Sequence, residues 1–197
     1  MNDGSRVRAF FAVPPDPGWS ESARELLARV RPKLPDAAWT RAETWHVTLR
    51  FLGDVSREQL STFAAAISRG AGASSGSNAR VVGPVVFPPR GPARVLAAEL
   101  GSAGAAWEVL GRLAEAGARE AGLEPERRPL RPHVTFARLR RPWPHDALAR
   151  FAEEVRAWRF PLWPVRSCVL YESQLAPGGA IHRAIGDWPL GAVEAAS

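Results

Sequence analysis

Two short segments carry the residues best suited to proton transfer: His46-Val47-Thr48-Leu49 and His133-Val134-Thr135-Phe136. The chain holds only four histidines and five threonines, so the same His-x-Thr spacing around two of the histidines is not expected from chance. On an extended strand, side chains at i and i+2 share a face while i+1 and i+3 share the other. Each segment therefore presents an imidazole and a hydroxyl on one face and two apolar residues on the opposite one. Histidine, with an ordinary pKa of about 6.5, is neutral or protonated near neutral pH, so a facing pair supplies a base and an acid. Opening a cyclic phosphodiester with water needs both, one on each side of phosphorus. The Thr48 and Thr135 hydroxyls suit the non-bridging oxygens, where transition-state charge collects. No metal is required, and zinc held by His46 and His133 would lack a third ligand of recognisable spacing.

These side chains need elements to hold them, and apolar periodicity with Pro and Gly punctuation predicts alternating strands and helices. The first half reads as strand Arg6 to Val13, helix Glu21 to Val30 opened by Ser20, strand His46 to Leu52, a helix from the Ser56 cap to Ser68, and strand Val81 to Phe87. The stretch Ala71 to Asn78 reads as a small-residue loop. The second half repeats the order: strand Val95 to Leu100, helix Ala105 to Ala121, strand His133 to Leu139, helix Ala147 to Trp158, strand Ser167 to Leu175. The interval from Arg6 to His46 nearly equals that from Arg94 to His133, which predicts an internal duplication of residues 6–88 and 94–176. A closing strand within 181–190 pairs back through the Pro177-Gly178-Gly179 turn. The expected architecture is α+β and bilobal, with two mainly antiparallel sheets flanked by helices around a central cleft, within one domain spanning 1–197.

A chain of 197 residues, 46% apolar, suits such a domain, and its formal charge of +6 favours a polyanionic partner. Cys168 is the only cysteine, which excludes an intrachain disulfide and a cysteine metal cluster. The apolar run Ala9 to Val13 is too short for a signal peptide or membrane span, so the expected location is cytoplasmic.

With these motifs the sequence resembles the LigT-like RNA 2',3'-cyclic phosphodiesterases, once named 2'-5' RNA ligases, of the two-histidine phosphoesterase superfamily. The resemblance covers nearly the whole chain and is carried by residues 8–12, 46–53, 131–138 and 170–173. It implies hydrolysis of a 2',3'-cyclic phosphate to a 2'-phosphate, with His46 protonating the leaving 3'-oxygen and His133 activating water. It also implies that Arg138 contacts phosphate, although strict alternation from His133 would face Arg138 away unless the strand bulges. Phe51, five positions after His46, could pack against a base or simply in the core. Phe136 departs from the leucine common in relatives, a change confined to the buried face. The implied partner is an RNA end or small cyclic nucleotide, with no cofactor; a single chain of this size needs no second copy to complete the cleft, so a monomer without membrane attachment is expected. The alternatives are an RNA-binding module and 2'-5' ligation with little hydrolysis; the first needs no pair of proton-transfer groups.

The remaining features carry less. Gly72 to Gly76 matches G-x-S-x-G, yet follows a helix where that motif needs a strand. Six arginines from Arg127 to Arg141, Arg131 among them as a substrate contact, could funnel an RNA backbone or merely solvate a loop. Trp39, Trp107, Trp158 and Trp163 suit packing in the core or between lobes, and His145 and His182, lacking a motif, read as structural or exposed.

Overall fold

The computed structural model describes residues 6–102, 105–176 and 179–193. Strand β1 (Val7–Val13) is almost wholly apolar and buried, as suits a strand paired on both sides. Helix α1 (Pro17–Val30) starts earlier than its periodicity suggests. Asp16 rather than Ser20 caps it, accepting from the Gly18 and Trp19 amides at 2.9 and 3.4 Å, and Pro17 supplies a first helical residue that needs no amide partner. A short strand β2 (Ala38–Trp39) and a single 3-10 turn (Ala42–Thr44) lead into β3 (Val47–Val55). Ser56 caps α2 (Arg57–Ala71) in a reciprocal capping box with Gln59.

The expected loop after α2 is cut short, because β4 (Ser75–Phe87) begins within it. Its first residues find partners in two short late strands introduced below. The G-x-S-x-G segment thus joins a helix to a strand, the reverse of the order a nucleophile turn requires. Then follow β5 (Val95–Ser102), α3 (Ala106–Glu120), β6 (His133–Arg138), α4 (His145–Ala157), β7 (Trp163–Val165), β8 (Ser167–Ala176), β9 (Gly179–Pro189) and β10 (Gly191–Val193). Strands β8 and β9 pair antiparallel as expected, and residues 177–178 of the expected turn lie outside the described residues.

One sheet has the order β3-β1-β8-β9; the other runs β10-β4-β5-β6-β2, with β7 beside β4. All pairings are antiparallel except β10 with β4. The protein is α+β with a two-lobed repeat, and the third long strand of each half lies in the other half's sheet. Strand β4 joins β5 and β6, while β8 joins β1 and β3, so neither sheet is built from one continuous stretch of chain. Helix α2 packs on α3, where a Cβ on Gly117 would meet Ile67 and Phe63 at 3.3 Å, and α1 packs on α4.

The core beneath the second His strand is aromatic. Fully buried Trp19 lies 6.1 Å from Trp45, 6.2 Å from Phe136 and 5.2 Å from Trp163 between ring centroids. Val47 and Leu49, like Val134 and Phe136, are buried as the alternation requires. Large apolar side chains thus anchor the back of each motif, leaving its polar face free. Among the described residues no helix is long and apolar enough to cross a membrane.

Candidate active site

Both histidines are held in the same way. His46 donates its Nδ1–H to the Thr44 carbonyl at 2.8 Å, and His133 donates its Nδ1–H to the Arg131 carbonyl at 2.6 Å. A carbonyl only accepts, so Nδ1 carries the proton in each ring and Nε2 remains for chemistry. The acceptor is in both cases the carbonyl two residues upstream. His46 and His133 line one cavity of about 690 Å³, and Thr48, Thr135, Phe51 and Arg138 line it with them.

The presence of Arg138 in that wall has a specific cause. In the β5–β6 ladder Ala97 pairs with Thr135 and Leu96 with Ala137, so Phe136 is the extra residue of a bulge. The parity of the strand flips there, and Arg138 joins the face of His133 and Thr135. Strand β3 does the same against β1: Ala12 pairs with Thr48 and Phe11 with Arg50, leaving Leu49 unpaired. Phe51, 55% exposed, thereby reaches the cavity five positions after His46, as Arg138 does five after His133. Arg50, next to Phe51, faces away from the cavity, and its largely buried side chain pairs with Glu115 at 3.0 Å.

Arg131 is placed differently from the other candidates. It does not line the cavity; its guanidinium lies 2.9 Å from Glu99 and 5.2 Å from the centre of the Phe87 ring. Of the six arginines from Arg127 to Arg141, Arg138 alone lines the cavity, and Arg128 is paired with Glu126.

Several lining residues have no motif of their own in the sequence. His182 sits on β9 with its ring edge-on to His46 at 5.4 Å and to Phe10 at 4.8 Å. The hairpin register was its one signal, since His182 pairs across the turn with Ser173, which also lines the cavity. His145 begins α4 and is exposed. Trp39 is half-buried and forms part of the cavity wall, whereas Trp107 and Trp163 are buried in the core.

Among the described residues no carboxylate lines the cavity, whereas Arg8, Arg41 and Arg138 line it and none of the three has an acidic partner there. Burial pushes His46 down to about 4; His182, His133 and Arg138 add to the fall, against the opposing Thr44 hydrogen bond. His133 is lowered by burial, then by Arg131 and Arg138, with the Arg131 carbonyl and Glu99 acting the other way. Burial also lowers His182. The cleft is therefore cationic through its arginines and holds neutral imidazoles at neutral pH, an arrangement that favours an anion. Among the described residues no group of three or more His, Cys, Asp or Glu side chains is arranged to hold a metal ion.

The fold and cleft define a two-lobed α+β protein in which paired His-Thr strands from the two sheets face one anion-attracting cavity. Residues 13–97 and 103–182 match the model of the LigT like Phosphoesterase family, and the chain belongs to that family. An RNA 2',3'-cyclic phosphodiesterase of Thermus thermophilus is 31% identical over 93% of this chain and 90% of its own length. The crystal structure of TT0787, also from Thermus thermophilus, superposes with a TM-score of 0.76 at 26% identity, covering 93% of this chain and 98% of that one. LigT of E. coli in its apo form shares the fold, with a TM-score of 0.71 at 21% identity over 95% of this chain and 99% of that one.

Proposed function

We propose that the protein hydrolyses 2',3'-cyclic phosphates at RNA ends, or on small nucleotides, to 2'-phosphates by metal-independent acid–base catalysis in the cytoplasm. The observation that carries this reading is the matched pair of imidazoles, each tied through Nδ1 to a carbonyl and each lining one cavity that has no carboxylate among the described residues. Its volume, about 690 Å³, suits a ligand of nucleotide size. The curated relative's activity on RNA 2',3'-cyclic phosphate supports the choice of substrate.

In the proposed reaction water attacks phosphorus while His133 Nε2 takes its proton. The P–O3' bond breaks, and protonated His46 gives its Nε2 proton to the departing 3'-oxygen. The product carries a 2'-phosphate and a 3'-hydroxyl, and proton exchange with solvent resets both rings. Thr48 and Thr135 donate to the non-bridging oxygens, Arg138 neutralises charge on them, and Phe51 packs against the base. Arg131 acts as a positioning residue, since its carbonyl orients His133 and its guanidinium is engaged by Glu99.

The test is incubation of the purified protein, in excess chelator, with an oligonucleotide ending in 2',3'-cyclic phosphate and a second RNA bearing a 5'-hydroxyl, followed by analysis of the products. A 2'-phosphate that survives chelation and disappears in both His46→Ala and His133→Ala is expected. Activity abolished by the chelator, or retained in either variant, refutes the mechanism; a 2'-5' joined product in place of the 2'-phosphate makes the protein a ligase instead.

A further inference from the structure

A second depression of about 300 Å³ adjoins the cavity and shares part of its wall, Trp39, Thr40, Arg41 and Trp45. That shared wall is stiff. The Trp45 indole donates to Thr40 Oγ1 at 2.8 Å, and Thr40 Oγ1 donates to the Thr135 carbonyl at 2.7 Å, so it is bonded to the second His-Thr strand itself. Strand β2 adds Trp39 paired with Ala137.

The far side of the wall is cationic. Arg31 lies over the Trp39 ring at 5.0 Å, which holds its guanidinium in place against the indole face. Neither Arg31 nor Arg41 has an acidic partner among the described residues. The carboxylate in this depression, Glu43, is already taken up by Arg24 at 3.6 Å, as is nearby Glu21 at 2.8 Å. On the His133 side, Arg131 and Arg128 are each matched by a glutamate. Beside the cavity, the Arg31–Arg41 side therefore carries positive charge with no acidic partner among the described residues, as Arg138 does within the cavity itself.

An RNA strand ending in a cyclic phosphate continues from the 5'-oxygen of its last nucleoside into another phosphate. With the cyclic phosphate between His46 and His133, that next phosphate must leave the cavity over one of its walls. We infer that the depression lined by Arg31, Trp39 and Arg41 is a subsite for the phosphate and nucleotide preceding the cyclic end, so that the enzyme reads a strand rather than a lone cyclic nucleotide. The inference rests on the cavity opening a cyclic phosphate, and substrate length separates the two.

The experiment compares a nucleoside 2',3'-cyclic monophosphate with a dinucleotide ending in the same group, using the full chain and its Arg31→Gln variant. The dinucleotide should have a kcat/KM about tenfold higher, the effect expected of one charged hydrogen bond to phosphate. Its log–log salt dependence should be steeper by about 0.7, as for one single-strand phosphate neutralised. Arg31→Gln should remove both differences and leave the monophosphate within about twofold of its original rate. Equal rates and salt slopes for the two substrates overturn the subsite, as does an Arg31→Gln loss shared equally between them. Turnover of neither substrate defeats the phosphodiesterase reading and the subsite together.

Discussion

The depressed proton affinity of His46 should reverse when an anion enters the cleft. With a pKa of about 4 instead of 6.5, the folded protein withholds a proton at a cost of about 3 kcal/mol. At pH 6 about 1% of ligand-free molecules carry that proton. A bound dianion supplies the favourable charge that burial removed, and recovery to 6.5 alone would raise the protonated fraction to roughly three-quarters. Sulfate is a suitable probe, because it stays a dianion over this range and cannot be turned over. Its affinity should rise as pH falls from 6.5 towards 4, by up to about tenfold per unit, with uptake of most of one proton per sulfate at pH 6. The ligand-free protein has the opposite trend in stability. Between those two pH values the unfolded chain binds more protons than the folded one, so stability falls as pH drops through the window, by up to about 3 kcal/mol from His46. Imidazole NMR titrations with and without sulfate read the site directly, and calorimetry in buffers of different ionisation enthalpy counts the proton. A His46 resonance that titrates near 6.5 without sulfate, or that ignores sulfate, refutes the reasoning.

Removing the exposed, unpaired guanidinium in Arg138→Gln should lower kcat/KM about 100-fold while leaving the thermal midpoint unchanged, as steady-state kinetics and thermal melts would report. Phe136→Ala deletes a fully buried ring from the Trp19–Trp45 cluster and should cost about 3–5 kcal/mol in urea unfolding. In Glu99→Gln the carboxylate that supports the His133 proton is lost, so its titration should move further down while that of His46 stays in place; NMR of the two rings distinguishes them.

The elements that hold the site were legible because their signals are local. Alternation around His46 and His133 places Val47, Leu49, Val134 and Phe136 in the core, and the Ser56 cap and the Pro and Gly breaks mark most boundaries. What alternation could not supply was the parity change at Leu49 and Phe136, since a bulge depends on the register of the neighbouring strand. Arg138 and Phe51 depend on those bulges to reach the cleft. His182 and Arg41 were hidden for a related reason: His182 becomes a wall residue through its pairing in the β8–β9 hairpin, Arg41 follows Thr40, whose amide bonds to the distant Phe136 carbonyl, and neither has a motif of its own. The exchange of β4 and β8 between sheets is likewise a long-range choice, and matched spacings in the two halves are compatible with either arrangement.

A symmetric scaffold still has to yield unequal imidazoles if one is to give a proton and the other to take it. The backbone does not distinguish them, because both rings make the same bond to a carbonyl two residues upstream. Their neighbours do. His46 lies 4.6 Å from Phe10 and 5.4 Å from His182, and no carboxylate among the described residues offsets its burial; His133 is less deeply buried and has Glu99 to favour its protonated form, against the larger opposing effect of Arg131. A ring that binds its proton weakly is the stronger acid, so the stronger effect of burial on His46 is the asymmetry on which the proposed donation from His46 and abstraction by His133 rest. In the proposed mechanism this weakly held proton is taken up as the phosphate anion arrives, which would couple protonation of His46 to occupancy of the cleft and spare the ligand-free protein a buried, uncompensated charge.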